Sequence, residues 1–336
     1  MEYKRVAMDT SKHVFTVHCV DAEERCVLRR DLRRNQVEGF FGKLAPTEVA
    51  LEACGASHHW GRVLEELGHR ARLIPPQYVR PFVKRGKSNR LDADAISAAA
   101  SRPDMRFVPV KTAERQADAM LLRVRELLVK QRSALVNALR GHAAEFGVAV
   151  AKGLSQVAAL LEAVAGSAMP EAGQRAIAVL AEQLGQLDET IGELDGELRA
   201  QHTANPLSRR LAAVPGIGPV TALSLALTVD AERFASGRHF AASLGLTPKQ
   251  HSTGERQQLG KISRAGDERL RRLLVIGAMS VIRFAKPGRK GVSAWLLGLL
   301  ERKPRKLVAV ALANKMARVV WAMMARGEAY RPMPSV

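Results

Sequence analysis

The sequence predicts an α/β domain joined to a longer, all-α region, and three features carry that expectation. Five short apolar, β-branched runs separated by turn-forming residues fill the first 75 positions; a stretch with few helix breakers runs from Ala113 to about Phe146; and helical periodicity returns between Pro206 and Arg326. The expected divisions are 1–110, 111–204 and 205–336.

Residues 4–9, 14–20, 26–31, 48–53 and 70–74 read as strands of a mixed sheet. Between and after them, 57–67 places Trp60, Val63, Leu64 and Leu67 on one helical face, and 88–100 is an alanine-rich helix. From Ala113, the spacing of Leu121, Leu122, Val124, Leu127, Leu128, Leu135, Val136 and Leu139 predicts one long helix. A glycine-containing break at 147–154 precedes a second helical region to about Arg199, and the two suggest an antiparallel hairpin or an intersubunit coiled coil. The last region is expected to be mainly helical, with a tight turn at Val214–Gly218, a polar segment at 247–264, and apolar helices near 267–285 and 304–325.

The chain has 336 residues, 47% of them hydrophobic, which is ample for folded cores. Its net charge of +19 is uneven: residues 201–336 hold 23 basic and 7 acidic side chains, +16 of the total. Clustered Lys and Arg gain affinity by releasing counterions from phosphates, so nucleic acid is the expected partner. Cys19, Cys26 and Cys54 are odd in number and lack paired ligand spacing, which argues against a disulfide framework or a zinc module. The charged N-terminus and the lack of any uninterrupted apolar run near the ~18 residues of a membrane span predict a cytoplasmic protein.

Asp9 ends the first predicted strand, and Glu52 ends another beside Cys54-Gly55. Two carboxylates at one sheet rim repel each other, and a metal ion is a good reason to place them together; solvated loop acids are the alternative. Asn89 and Asp92 open the following helix three residues apart and so share a face, whereas Asp94 points away from Asp92. Asp9, Glu52, Asn89 and Asp92 together make an oxygen-ligand set suited to Mg²⁺. Arg80, Lys84, Arg85, Lys87 and Arg90 lie between Tyr78 and Arg90 with no acid among them, and are placed to hold phosphates beside that set.

Val6-Ala7-Met8-Asp9-Thr10-Ser11-Lys12, Leu51-Glu52-Ala53-Cys54-Gly55, the segment from Leu73 to Arg85 and the segment from Lys87 to Ile96 resemble the DEDD-type insertion-sequence transposases, the bridge-RNA-guided DNA recombinases. The resemblance extends over nearly the whole chain. It implies a RuvC-like, RNase H-type N-terminal domain, a central coiled coil serving dimerisation, and a C-terminal transposase domain with a helix-hairpin-helix-like turn. It further implies Mg²⁺, composite active sites, donor and target DNA paired to a structured guide RNA, and dimers assembling into tetramers. The family pattern has aspartate at both helical positions, whereas residue 89 here is Asn. Asparagine offers one neutral carbonyl oxygen, so impaired metal-dependent activity is expected.

In the C-terminal region, Gly216 and Gly218 of Val214-Pro215-Gly216-Ile217-Gly218-Pro219 would let backbone amides approach a phosphate; an ordinary helical connection is the alternative. Lys249, His251, Arg256, Lys261 and Arg264 surround Ser252-Thr253-Gly254 and would neutralise a phosphate under attack by a hydroxyl. His251 reads equally as a base, a phosphate donor or a turn-stabilising side chain. The family supplies a nucleophilic serine here: gapless alignment puts Thr253 at its position, while the less hindered primary hydroxyl is that of Ser252, so both remain candidates. Further basic groups follow, Arg269, Arg271 and Arg272 first, then Lys286, Arg289 and Lys290, then Arg302, Lys303, Arg305 and Lys306. The expected protein is an RNA-guided transposase that cuts and rejoins DNA through a covalent hydroxyl–phosphate intermediate. A RuvC-like nuclease or junction resolvase using water, and a non-catalytic nucleic-acid-binding protein, are the alternatives.

Overall fold

The computed structural model describes residues 2–83, 88–253, 258–287 and 292–332. The chain divides into two compact units, Met1–Ala117 and Asp118–Val336.

In the first unit, β1 (Arg5–Asp9), β2 (Val14–Val20), β3 (Cys26–Arg33), β4 (Glu48–Glu52) and β5 (Arg70–Ile74) form one sheet in the order β3-β2-β1-β4-β5. The first three are antiparallel, and β4 and β5 join parallel to β1. Period-two alternation sends Val6 and Met8 to one face with Phe15, Val17 and Leu51, where α1 (Val37–Phe41) and α2 (Ser57–Glu66) contribute Phe41, Trp60 and Leu64. The other face carries Ala7, Ala50 and Ile74 beneath Ala95, Ile96 and Ala99. Those last three belong to α4 (Asn89–Ala100), which follows the short α3 (Pro76–Val79). Alanine on both sides of that contact lets α4 lie close to the sheet. The edge strand β3 is mostly exposed and bears Arg29, Arg30 and Arg33, charges that discourage pairing with another sheet.

The second unit begins within α5 (Ala113–Glu145), and continues through α6 (Val157–Ala165) and α7 (Glu171–Ala204). The helical region expected to run to about Arg199 consists of these last two helices, separated around Gly166 and Pro170. Arg132 bonds Asp188 at 3.0 Å, Arg125 bonds Asp195, and Gln201 reaches Asp118 at 3.1 Å. As the α5 partner steps back along the chain, the α7 partner steps forward, so the helices pair antiparallel within one chain.

The remaining helices are α8 (Pro206–Leu211), α9 (Pro219–Thr228), α10 (Gly237–Ser243), α11 (Glu268–Arg283), α12 (Ala294–Arg302) and α13 (Arg305–Ala325). They enclose a core that includes Leu225, Phe240, Leu274, Ala278, Leu296, Met316 and Val320. By length and composition, α13 is apolar enough to cross a membrane. Its apolar stripe, Val308, Leu312, Met316 and Val320 among others, is buried in this core, and Lys315 and Arg318 interrupt the rest. The polar segment, expected to lie in a helical region, contains a two-stranded antiparallel hairpin, β6 (Pro248–Gln250) and β7 (Leu259–Ile262).

Candidate active site in the N-terminal unit

Asp9 and Glu52 are the last residues of neighbouring parallel strands, one step beyond the registered pair Met8 and Leu51. Alternation puts Asp9 on the same face as Ala7, and Glu52 on the same face as Ala50, which is the face α4 covers. On α4, Asp92 lies one turn before Ala95 and Ile96, the residues buried against the sheet, so packing of the alanine face carries Asp92 toward the rim.

The electrostatics register this convergence. The Asp9 carboxyl is pushed up to about 6, first by burial and then by the charges of Asp92 and Glu52, against a lowering hydrogen bond from the Thr10 amide. Burial and Asp92 also raise Glu52. Among the described residues, none of the three carboxylates forms an ion pair. Three hard oxygen donors that repel one another and lack a protein cation fit a hard divalent ion. Among the described residues, no three Asp, Glu, His or Cys side chains are already drawn to ligand spacing, so these would close in around such an ion.

Asn89 is the first residue of α4, exposed, one turn from Asp92; the Ser88 hydroxyl caps the helix by accepting from the Leu91 amide at 3.3 Å. Asp94 is engaged elsewhere: it bonds His18 Nδ1 at 2.5 Å and accepts from Arg29 Nη2 at 2.7 Å. On the same side of α4, Arg90 approaches Asp31 at 3.8 Å, and Thr16 donates to Asp31 at 2.8 Å. These contacts fix the rotation of α4 over the sheet and with it the aim of Asp92. Sequence reasoning missed them, since no periodicity states which strand a helix faces. It also missed the contact at 3.1 Å between Thr10 Oγ1 and Cys54 Sγ at the rim, which the positions of Thr10 after Asp9 and Cys54 near Glu52 signalled.

In the second unit, Ser252 and Thr253 are exposed in the β6–β7 hairpin with Lys249, His251 and Lys261. The Ser252 hydroxyl accepts from the Gln258 amide at 3.3 Å, and the His251 ring lies against Gly260. Arg264 is exposed just past β7, in a left-handed conformation with φ of 55°. Arg271 and Arg272, expected to face nucleic acid, have internal partners. Arg271 Nη1 donates to the carbonyls of Leu244 and Ala265 at 3.0 and 2.7 Å, and Arg272 pairs with Glu126 at 2.5 Å. Gly216 likewise has a packing reason for its identity: its φ is +87°, and a Cβ there would meet the Gly277 carbonyl oxygen at 2.8 Å. Gly218 is exposed as the residue before α9, and Arg80 is exposed beside α3. Lys84, Arg85, Lys87, Gly254, Arg256, Arg289 and Lys290 lie outside the described residues.

Two family descriptions and several full-length relatives match the chain. Residues 208–292 match the family described as "Transposase IS116/IS110/IS902 family", and residues 6–147 match a transposase family of the DEDD type named for IS110. A protein named as transposase y4pF/y4sB from Sinorhizobium fredii is 51% identical over 97% of this chain and 85% of its own length. A family 20 transposase of Pseudomonas aeruginosa is 47% identical over 99% of this chain and all of that protein. The transposase of insertion sequence element IS1111A from Coxiella burnetii is 38% identical over 98% of this chain and 92% of that one. With both halves matched and such identity over the full length, the chain belongs to the IS116/IS110/IS902 family of insertion-sequence transposases.

Proposed function

We propose that this transposase cuts and rejoins DNA under RNA guidance, using Mg²⁺ held by Asp9, Glu52 and Asp92, and a hydroxyl from Ser252 or Thr253. The observation that carries the metal site is the meeting of Asp9 and Glu52, at the ends of neighbouring parallel strands, with Asp92 of the helix packed over them; the raised Asp9 carboxyl registers a charge conflict that a divalent cation relieves. When bound, the ion would neutralise phosphate charge and orient its oxygens. Asn89 would add one neutral carbonyl oxygen where the family pattern has a carboxylate, which weakens the hold on the ion and impairs cleavage.

At the hairpin, the hydroxyl oxygen of Ser252 or Thr253 would attack a DNA phosphorus. An Oγ–P bond forms, the P–O bond to the departing nucleotide breaks, and the hydroxyl proton goes to the departing oxygen. Reversal with a different strand end rejoins the DNA. Exposed Lys249, Lys261 and Arg264 would bear the phosphate charge, with His251 moving the proton or binding phosphate. The motif resemblance supports a structured guide RNA, dimers that assemble into tetramers, and the roles of segments 1–110, 111–204 and 205–336 in metal binding, dimerisation and nucleophilic attack.

The test combines the chain with a guide RNA, matched DNA and Mg²⁺, comparing wild type with Asn89→Asp. A protein–DNA adduct on a denaturing gel, stronger with Asp and lost in Ser252→Ala or Thr253→Val, is expected. Free hydrolysed ends without adduct would point to a water-using nuclease. No cleavage from either form would leave a nucleic-acid-binding protein.

A further inference from the structure

The C-terminal unit has a second concentration of positive charge, apart from the hairpin. An open cleft of about 570 Å³ between α10 and α13 is lined by Ser236, Arg238, Lys315, Arg318, Trp321 and Arg326, among others. Close packing and hydrogen bonds hold its walls. A Cβ on Gly237 would meet the Arg318 backbone at 3.0 Å, so the two helices are in close contact, and Trp321 Nε1 donates to the carbonyls of Ala231 and Phe234 at 3.1 Å each. Lys315 lies 4.3 Å from the centre of the Trp295 ring.

The cleft's charge is largely uncompensated. Among the described residues, Arg238, Lys315 and Arg318 have no acidic partner, and Arg326 alone has one, Glu328 at 3.6 Å. Burial, and then the charge of Arg318, hold the Lys315 ammonium below the usual lysine range. Elsewhere in the same unit, Arg125, Arg132 and Arg272 are each matched to a carboxylate. Like charges gathered in a concavity repel one another, and an anion that spans them removes the repulsion. Several cations lining one open cleft suit a repeating anion better than a single small one.

We infer that the α10–α13 cleft is a phosphodiester-binding groove, in which Arg238, Lys315 and Arg318 track the backbone of a nucleic acid at a distance from the nucleophile hairpin in sequence. This rests on the reading of the protein as acting on nucleic acid. Serine at 236 adds a polar wall, Trp321 in the lining is held by backbone carbonyls, and the Trp295 ring is engaged by Lys315. The groove therefore grips by charge and shape rather than by base stacking.

The experiment is equilibrium binding of the full chain to a duplex DNA and, separately, to a hairpin RNA of equal length, across a series of salt concentrations. The variant Arg238→Gln/Arg318→Gln removes two exposed charges from the cleft; Arg123→Gln/Arg175→Gln removes two from the exposed surfaces of α5 and α7 as a control. If both cleft residues contact phosphates, the log–log salt slope for the duplex falls by about 1.8, at ~0.9 per contact, with a fall in the same direction for the RNA hairpin if RNA is the occupant. A fall in one arm identifies DNA or RNA as the occupant, and the control should move neither slope as far. Equal changes in the two variants, or no change in either arm, would overturn the groove and leave the hairpin chemistry standing. Failure of the wild type to bind either probe would overturn both readings.

Discussion

Replacing Asp9 with Asn is expected to stabilise the metal-free protein at neutral pH while removing its response to Mg²⁺. In the folded chain, the Asp9 carboxyl sits at about 6, against an ordinary value of 3.8. A displacement of about 2 units corresponds to roughly 3 kcal/mol at 1.36 kcal/mol per unit, and solvent at this partly buried rim screens it to about 1–2 kcal/mol. The sign follows from linkage: the folded value is the higher, so the stability is fully present below the unfolded value. It is lost as pH rises through the folded one. Between about pH 4 and pH 6.5 the wild type should lose that increment while the Asn variant keeps it.

Thermal melts of the full chain in EDTA across this range test the idea, with the expected difference amounting to a few degrees at pH 7 and shrinking toward pH 4. Mg²⁺ at roughly ten times its Kd should raise the wild-type transition by the equivalent of about 1.4 kcal/mol, and leave the variant unmoved. An Asn variant that melts lower than wild type at pH 7, or a difference that ignores pH, would refute the account of three carboxylates in conflict.

Two further substitutions separate positioning from packing. Asp94→Asn removes the charge that Arg29 and His18 share and should cost the N-terminal unit ~1–3 kcal/mol; it should also weaken apparent Mg²⁺ affinity by isothermal titration, whereas unchanged affinity would show that α4 is held by its alanines alone. Gly277→Ala sets helix propensity against contact. Propensity alone favours Ala by ~1 kcal/mol, but the new Cβ would fall 1.9 Å from the Gly216 carbonyl oxygen, and displacing backbone costs ~1–3 kcal/mol or more. Net destabilisation in a urea melt is therefore expected, and a gain would show that the α11 contact is loose.

Much of the N-terminal unit was legible because its elements bury one face and follow strong periods. All five strands begin within one residue of their expected positions, and the carboxylates at strand ends could be named before any coordinates. The β6–β7 hairpin was illegible for the opposite reason: its described strands are three and four residues long, mostly exposed, and contain Lys249, Gln250 and Lys261 rather than an apolar alternation. The break before α7 depended on weighing Gly166 and Pro170 against a flanking apolar run. Gly216 could be read as a phosphate-approach position or as a packing position, and only the neighbouring Gly277 distinguishes a structural requirement.

Charge was the least legible property, because a count of basic residues does not say which have partners. The C-terminal surplus is divided in the folded chain: Arg271 closes onto backbone carbonyls, Arg272 reaches Glu126, and Arg238, Lys315 and Arg318 have no acid at hand among the described residues. The acids divide in the same way, with Asp94 matched to Arg29 while Asp9, Glu52 and Asp92 converge unmatched. A paired charge is explained by its partner and contributes to holding elements in place. Like charges that converge without one reduce stability until something of opposite sign binds; among the described residues, carboxylates do so at the rim of the sheet and cations do so beside α13. The ligands proposed for them, a divalent ion at the first and a phosphate backbone at the second, each have the sign opposite to the charges that converge there.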